Sequence, residues 1–157
     1  MRNQNYNRDN NEVVELLVTR HSTTVATEIC MPHAIQIRQT GGPEVLNWTA
    51  VDVDDPGSDQ VRLRKAAAGL NYIDIYHRTG YYPQPLPIIP GLERGGTVEA
   101  IGQDVRGLKV GNRVAYAGPT GGYSEVRLIE ADRLVRLPDA ISLDQAAAMM
   151  LQGMTAS

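Results

Sequence analysis

No phenylalanine occurs among the 157 residues, and the chain holds one tryptophan, one cysteine and three histidines. The single cysteine, Cys30, has no partner for an internal disulfide, which fits a reducing cytosol. Long apolar runs are missing too: none approaches the roughly 18–20 residues that cross a bilayer. Lysines and arginines form no cluster and the net charge is -3, so nucleic acid is not the expected partner. Against these shortages stand fifteen glycines and nine prolines, which point to many turns and short strands. With 42% apolar and 21% charged residues, the length supports one ordinary soluble domain with a real core and some extra chain.

The extra chain is at the start. Residues 1–11, MRNQNYNRDNN, are Asn-rich and too polar to bury much apolar surface. EVVELLVTRH follows as a short amphipathic stretch, but Glu15 and Arg20 interrupt it, so it is not the apolar core of a secretory signal. Asp9, Glu12, Glu15 and Glu28 run against an acid-poor transit peptide. The first thirty residues are therefore read as a disordered extension, with the domain beginning near Met31.

From His33 the pattern changes to short alternating runs. HAIQIR and LNWTAVDV read as strands, separated by the turn residues TGGPEV and closed by DDPGSD. In QVRLRKAAAGL, Val61, Leu63 and Lys65 alternate with Arg62 and Arg64, giving one buried and one wet face. Asn71 followed by Asp74 is a helix-start pattern, and YIDIYHR completes about two turns before Gly80. His77 is read as an exposed residue of that helix. YYPQPLPIIPG is too rich in proline for helix or central strand and should form a loop. RGGTVEAIG, NRVAYAG, GGYSEVRLIEA and RLVRLP read as further strands, with the glycines of GPTGGY as a hairpin connection. Ser142 is a plausible N-cap for the Ala-rich LDQAAAMMLQGMTAS. Several short strands and little helix predict a mainly β fold, a partly open β-barrel with one short and one C-terminal helix, rather than alternating βαβ units.

Six strings then occur in order: TGGPEVL, AAAGLNYIDIYHRTGYYP, LPIIPGLERGGTVEAIG, LKVGNRVAYAG, GGYSEV and LDQAAAMMLQGMT. Together they resemble the N-terminal, GroES-like domain of the zinc-independent quinone oxidoreductases, the zeta-crystallin-like branch of the medium-chain dehydrogenase/reductase superfamily. The resemblance covers residues 31–157. It implies a GroES-like domain over 31–141, with 142–157 beginning the helix that leads to a nucleotide-binding Rossmann domain. It also implies NADPH as cofactor, a quinone or conjugated enone as acceptor, a cytoplasmic location and frequent homo-oligomers.

The resemblance carries a negative statement about metal. Zinc-dependent relatives place a cysteine shortly after the strand ending at Gly69 and a histidine in a Gly-His-Glu element; here the two regions read Gly69-Leu70-Asn71 and Gly91-Leu92-Glu93. Cys30, His21, His33 and His77 are too dispersed to supply about three fixed ligands, so no zinc is expected. What remains is hydride donation by a reduced nicotinamide to an electron-poor acceptor, for which the protein supplies orientation and a water-poor cleft. By resemblance, Asn71, Tyr72, Ile73, Asp74 and Tyr76 line the nicotinamide side, Thr155 lies close to the cofactor, and Tyr76 and Tyr82 lie near the acceptor. A phenol stacks on a flat quinone and hydrogen-bonds its oxygen. Tyr82 or water would protonate the reduced acceptor.

Structural roles compete with each of these. Asn71 would serve as a helix cap, Tyr76 as helix packing, Tyr81 and Tyr82 as covers over a proline loop, and Glu93 as an acceptor for amides in a Gly-rich turn. No strand runs into a G-x-G-x-x-G helix, the dinucleotide fingerprint. The chain is therefore expected to stop before the nucleotide-binding half, to bind NADPH weakly or not at all, and to expose an apolar strip at Ala146–Met150. The alternative is a stand-alone GroES-like binding or scaffold module without enzymatic activity.

Overall fold

The computed structural model describes residues 31–157, and the expectations placed on residues 1–30, including Cys30 and His21, lie outside the described residues. Seven strands and two helices are present among the described residues: β1 (His33–Gln36), β2 (Asn47–Ala50), β3 (Gln60–Ala68), α1 (Tyr72–Thr79), β4 (Glu93–Ile101), β5 (Arg113–Ala117), β6 (Val126–Glu130), β7 (Val135–Arg136) and α2 (Leu143–Ala156). Short 3-10 turns at Pro43–Val45 and Ala131–Arg133 fill two of the connections. Strands β1 and β2 form an antiparallel hairpin, and the other five form an open sheet in the order β6-β3-β4-β5-β7. Single bridges at Ala34–Ser124 and Ile37–Ile88 tie the hairpin to the rest. The mainly β expectation holds, with open sheets and no closed barrel.

Period-two alternation explains how the sheet acquires two different faces. On β5, Val114 and Tyr116 join Val61, Leu63, Val98, Val105 and Ile129 in the main core, while Ala115 between them packs with Leu137 and Ala146 under α2. Each fully buried aliphatic side chain in that core contributes about 1.5–3 kcal/mol. Gly95 lies opposite Ala115 on β4 and takes the same face. A Cβ there would stand 2.4 Å from the Leu143 carbonyl oxygen, so the missing side chain is what lets the start of α2 settle on the strand. Register against β4 is irregular at Arg62/Leu63 and Lys65/Ala67: Val61 and Leu63 are buried as expected, with one irregularity between them and one beyond.

Two sequence readings are corrected here. The GPTGGY segment does not close a hairpin, because β5 and β6 are separated by β4 and β3 in the sheet. It carries the chain across the sheet to the far edge. Glycine content reports the ability to turn but not which strands a turn joins. His77 is buried, with 5% of its surface exposed, because Asn71, Asp74 and His77 recur every three residues along the inward side of α1. The apolar strip at the chain end is also divided. Ala146 and Ala147 are covered by their own sheet, while Met149 and Met154 are exposed. None of the described helices is long and apolar enough to cross a membrane.

Candidate functional site

Strand β3 ends at Ala68, and Gly69 and Leu70 deliver the chain to Asn71 at the N-cap position of α1. Four N–H groups at a helix start have no partner within the helix. Asp74, in the first turn, accepts one of the neighbouring donors: Asn71 N–H at 3.0 Å on Oδ2. The same carboxylate receives Tyr123 Oη–H at 2.7 Å on Oδ2 and Gly91 N–H at 3.2 Å on Oδ1. Asp74 is 5% exposed, so three separate segments meet on one buried acid. Burial pushes the Tyr123 phenol well above its usual range, and the hydrogen bond and charge of Asp74, with the charge of Glu93, push it further. Tyr123 therefore keeps its proton and is a firm hydrogen-bond donor to Asp74.

The Asn71 side chain takes the capping-box position facing Asp74 N–H, but its firm hydrogen bond is made elsewhere. Its Nδ2 donates instead to Glu93 Oε1 at 2.8 Å. Glu93 is fully buried, and its other oxygen accepts Leu151 N–H of α2 at 2.7 Å. Neighbouring Arg94 is equally buried but points to the opposite face of β4, where it donates to Ser124 Oγ at 3.0 Å and the Glu125 carbonyl at 2.8 Å. Alternation along the strand thus keeps acid and base apart. Burial lowers the Arg94 guanidinium to about 10, with Tyr116 opposing the shift and Arg127 and Arg64 adding to it.

Four tyrosines gather on the outer side of α1. Tyr82 N–H donates to the Tyr76 carbonyl at 3.2 Å, which folds the proline-rich segment back beside the helix. Ring centroids lie 6.1 Å apart for Tyr72–Tyr76, 5.1 Å for Tyr76–Tyr81, 5.3 Å for the edge-on pair Tyr76–Tyr82 and 5.2 Å for Tyr81–Tyr82. Such pairs contribute about 0.5–1.5 kcal/mol each beyond their burial. Tyr76 is half-buried at the centre, while Tyr72, Tyr81 and Tyr82 remain exposed at 76%, 71% and 48%. The exposed faces form an aromatic platform beside Asn71.

The structure thus brings Asn71, Tyr72, Tyr76 and Tyr82 onto or beside one short helix. Ile73 is half-buried on that helix, and Asp74 is engaged by internal donors. Thr155 is exposed on α2, its Oγ1 donating to the Leu151 carbonyl at 2.8 Å. Gln152, one turn earlier, reaches Asn71 Oδ1 at 3.5 Å, so α2 meets the start of α1 at that contact. Sequence reasoning missed Tyr123 and the reach of Glu93 to α2. The only signal was the alternation that sets Glu93 and Gly95 on one face of a strand. Among the described residues, no group of three His, Cys, Asp or Glu side chains is placed to hold a metal. A cavity of about 660 Å³, lined in part by Gln36, Asp52, Ile88 and Arg127, contains none of the residues singled out from the sequence.

Both the fold and the matching region place this chain in one class. The family model for the alcohol dehydrogenase GroES-like domain matches residues 57–139, and the chain belongs to that family. Among its relatives, the quinone oxidoreductase of Pseudomonas aeruginosa is 50% identical over 127 residues, covering 80% of this chain and 39% of that protein. The 2-haloacrylate reductase of a Burkholderia species is 42% identical, covering 80% of this chain and 40% of that protein. The crystal structure of Escherichia coli quinone oxidoreductase complexed with NADPH superposes with a TM-score of 0.76 at 42% identity, covering 78% of this chain and 38% of that one. The chain spans about two fifths of the length of these relatives.

Proposed function

We propose that residues 31–157 form the acceptor-side wall of a zinc-independent oxidoreductase that passes hydride from NADPH to a quinone or conjugated enone. The observation that carries this reading is the aromatic cluster of Tyr72, Tyr76, Tyr81 and Tyr82 on and beside the helix that starts at Asn71. Exposed phenol rings suit a flat, electron-poor ring, which stacks on them and accepts hydrogen bonds at its oxygens. The similarity to quinone oxidoreductases and a haloacrylate reductase, whose named substrates are conjugated, supports the same class.

The residues fit a nicotinamide on this wall. Asn71 offers an amide held by Glu93, Gln152 an exposed one, and Tyr72 and Tyr76 ring faces on the same helix. A bound reduced nicotinamide supplies the hydride. The protein's part is to stack the acceptor on the exposed face of Tyr82, with Tyr76 edge-on beside that ring, to leave protonation of the reduced acceptor to Tyr82 or water, and to exclude solvent from the contact. Asp74 acts one step away, fixing the start of α1. Residues 31–141 make the GroES-like domain, and α2, within 142–157, leads toward the nucleotide-binding portion and carries Thr155 to its border.

Titration of the ¹⁵N-labelled chain with a 1,4-naphthoquinone tests the reading. The expected result is a set of saturable shifts confined to α1, Tyr81, Tyr82 and the last turn of α2. No shift in that region at millimolar quinone, or shifts only at the 660 Å³ cavity, would overturn it. In the same tubes, NADPH oxidation by residues 1–157 alone is expected to stay at the buffer rate, since the relatives are more than twice as long. Turnover well above that rate would refute this part.

A further inference from the structure

The contact between Glu93 and α2 does something that a simple buried acid does not. Leu151 lies inside α2, where its N–H would normally serve the carbonyl four residues back, at Ala147. It also donates to Glu93 Oε2 at 2.7 Å, so the carboxylate is tied directly to the backbone of the helix interior. The other oxygen takes Asn71 Nδ2–H at 2.8 Å. Both partners are N–H donors, one to each oxygen, which is the arrangement of an acceptor-only carboxylate. The path is narrow: a Cβ on Gly69 would lie 2.0 Å from Oε1 and 2.4 Å from Cδ.

An acceptor-only partner also settles which way the Asn71 amide faces. Nδ2 must point inward to Glu93, and Oδ1 is left on the side of the capping-box Asp74 N–H and of α2, where Gln152 Nε2 stands at the outer limit of 3.5 Å. A hydrogen bond from Nδ2 to a carboxylate also strengthens the carbonyl end as an acceptor. We propose that Glu93 is the positioning residue of this wall: it locks Asn71 so that a carbonyl oxygen faces the ligand, and with the same carboxylate it seats the last turns of α2. Resting on the hydride-transfer reading above, this assigns Asn71 to an N–H or O–H donor of the bound nucleotide, such as a carboxamide or a ribose hydroxyl. It removes Asn71 from any role in receiving a quinone oxygen, which is left to the phenols.

Amide exchange in the ¹⁵N-labelled chain tests the lock without cofactor or acceptor. In the wild type, the Leu151 amide and the Asn71 side-chain amide should exchange more slowly than the amides of Met150 and Gln152, with both resonances displaced downfield. Glu93→Gln turns an NH₂ toward one of the two donors. Exchange at Leu151 and through 152–156 is then expected to rise about tenfold to a hundredfold, the factor lost with a hydrogen bond to a charged acceptor. The Asn71 resonance should move upfield, while Val98 and Val114 in the core strands stay protected. Gly69→Ala displaces the carboxylate while keeping its charge and should reproduce both changes, which covers the case of a Glu93→Gln chain that does not fold. Leu151 exchanging as fast as its neighbours in the wild type, or unmoved in both variants, would overturn the proposal. Slow exchange with the expected variant effects, but no quinone shifts at the tyrosines, would leave Glu93 as the lock and sink only the hydride-transfer reading.

Discussion

Asp74→Ala is expected to cost the folded unit about 3–6 kcal/mol, because two buried backbone donors, at about 1–3 kcal/mol each, and the half-buried Tyr123 hydroxyl lose their acceptor at once. Asn71 N–H, Gly91 N–H and the Tyr123 hydroxyl come from three segments, of which those of Gly91 and Tyr123 are also joined by backbone hydrogen bonds. Domains of this size have about 5–15 kcal/mol in total, so the variant should stand close to unfolding. Tyr123→Phe removes one of the three bonds and should cost about 1.5–3 kcal/mol, the range for a hydrogen bond to a charged group. Urea unfolding followed by circular dichroism measures both. The double variant should fall short of the sum, since the two changes delete the same bond. A loss below about 1 kcal/mol for Asp74→Ala would show that the carboxylate is not the structural tie described here and is free to serve a ligand.

The same pair sets a pH dependence with a definite sign. The folded-state pKa of Tyr123 is raised, so its contribution is fully present below the ordinary phenol value of about 10 and is lost as pH rises past it, where the unfolded chain ionises first. Wild-type stability should therefore fall more steeply than that of Tyr123→Phe between pH 9 and 11. Arg94 acts in the opposite sense, because its folded-state value is lowered to about 10 and the fold binds fewer protons there than the unfolded chain. It is common to both proteins and drops out of the difference.

Much of this architecture is legible in the sequence because it is written in local chemistry. Ser142 and Gln145 form the reciprocal cap expected at the start of α2, with Gln145 N–H on Ser142 Oγ at 3.1 Å and Ser142 N–H on Gln145 Oε1 at 2.9 Å. Gly80 ends α1 in a left-handed conformation. Pairing between distant segments is written less plainly. Nothing local in GPTGGY distinguishes a hairpin from a crossing, and His77 looks solvent-facing until tertiary structure covers that side of α1. Asn71 and Asp74 were visible as a helix start, yet only tertiary structure turns the Asn71 amide from the cap to Glu93. Glu93 shows why the site is harder to read than the fold: its partners lie 22 and 58 residues away, and no periodicity links them.

Activity separates the two roles open to Tyr82. A chimera of residues 31–157 with the nucleotide-binding portion of the Pseudomonas aeruginosa relative should reduce quinones with NADPH, given 50% identity across the joined region. In that chimera, Tyr82→Ala is expected to lower kcat/KM about 10- to 100-fold, chiefly through KM, because a ring face worth about 1.5–3 kcal/mol is lost. Tyr82→Phe keeps the face and should stay within about threefold of the parent. The reason is positional. Tyr82 is half exposed, and among the described residues nothing orients its hydroxyl, whereas a general acid must be held within reach of the atom it protonates. A fall of about a hundredfold or more in Tyr82→Phe, the effect of deleting a general acid, would identify the phenol as the proton donor and displace water from that role. A folded chimera that binds NADPH but reduces neither quinone nor enone would instead remove the hydride acceptor from this wall altogether.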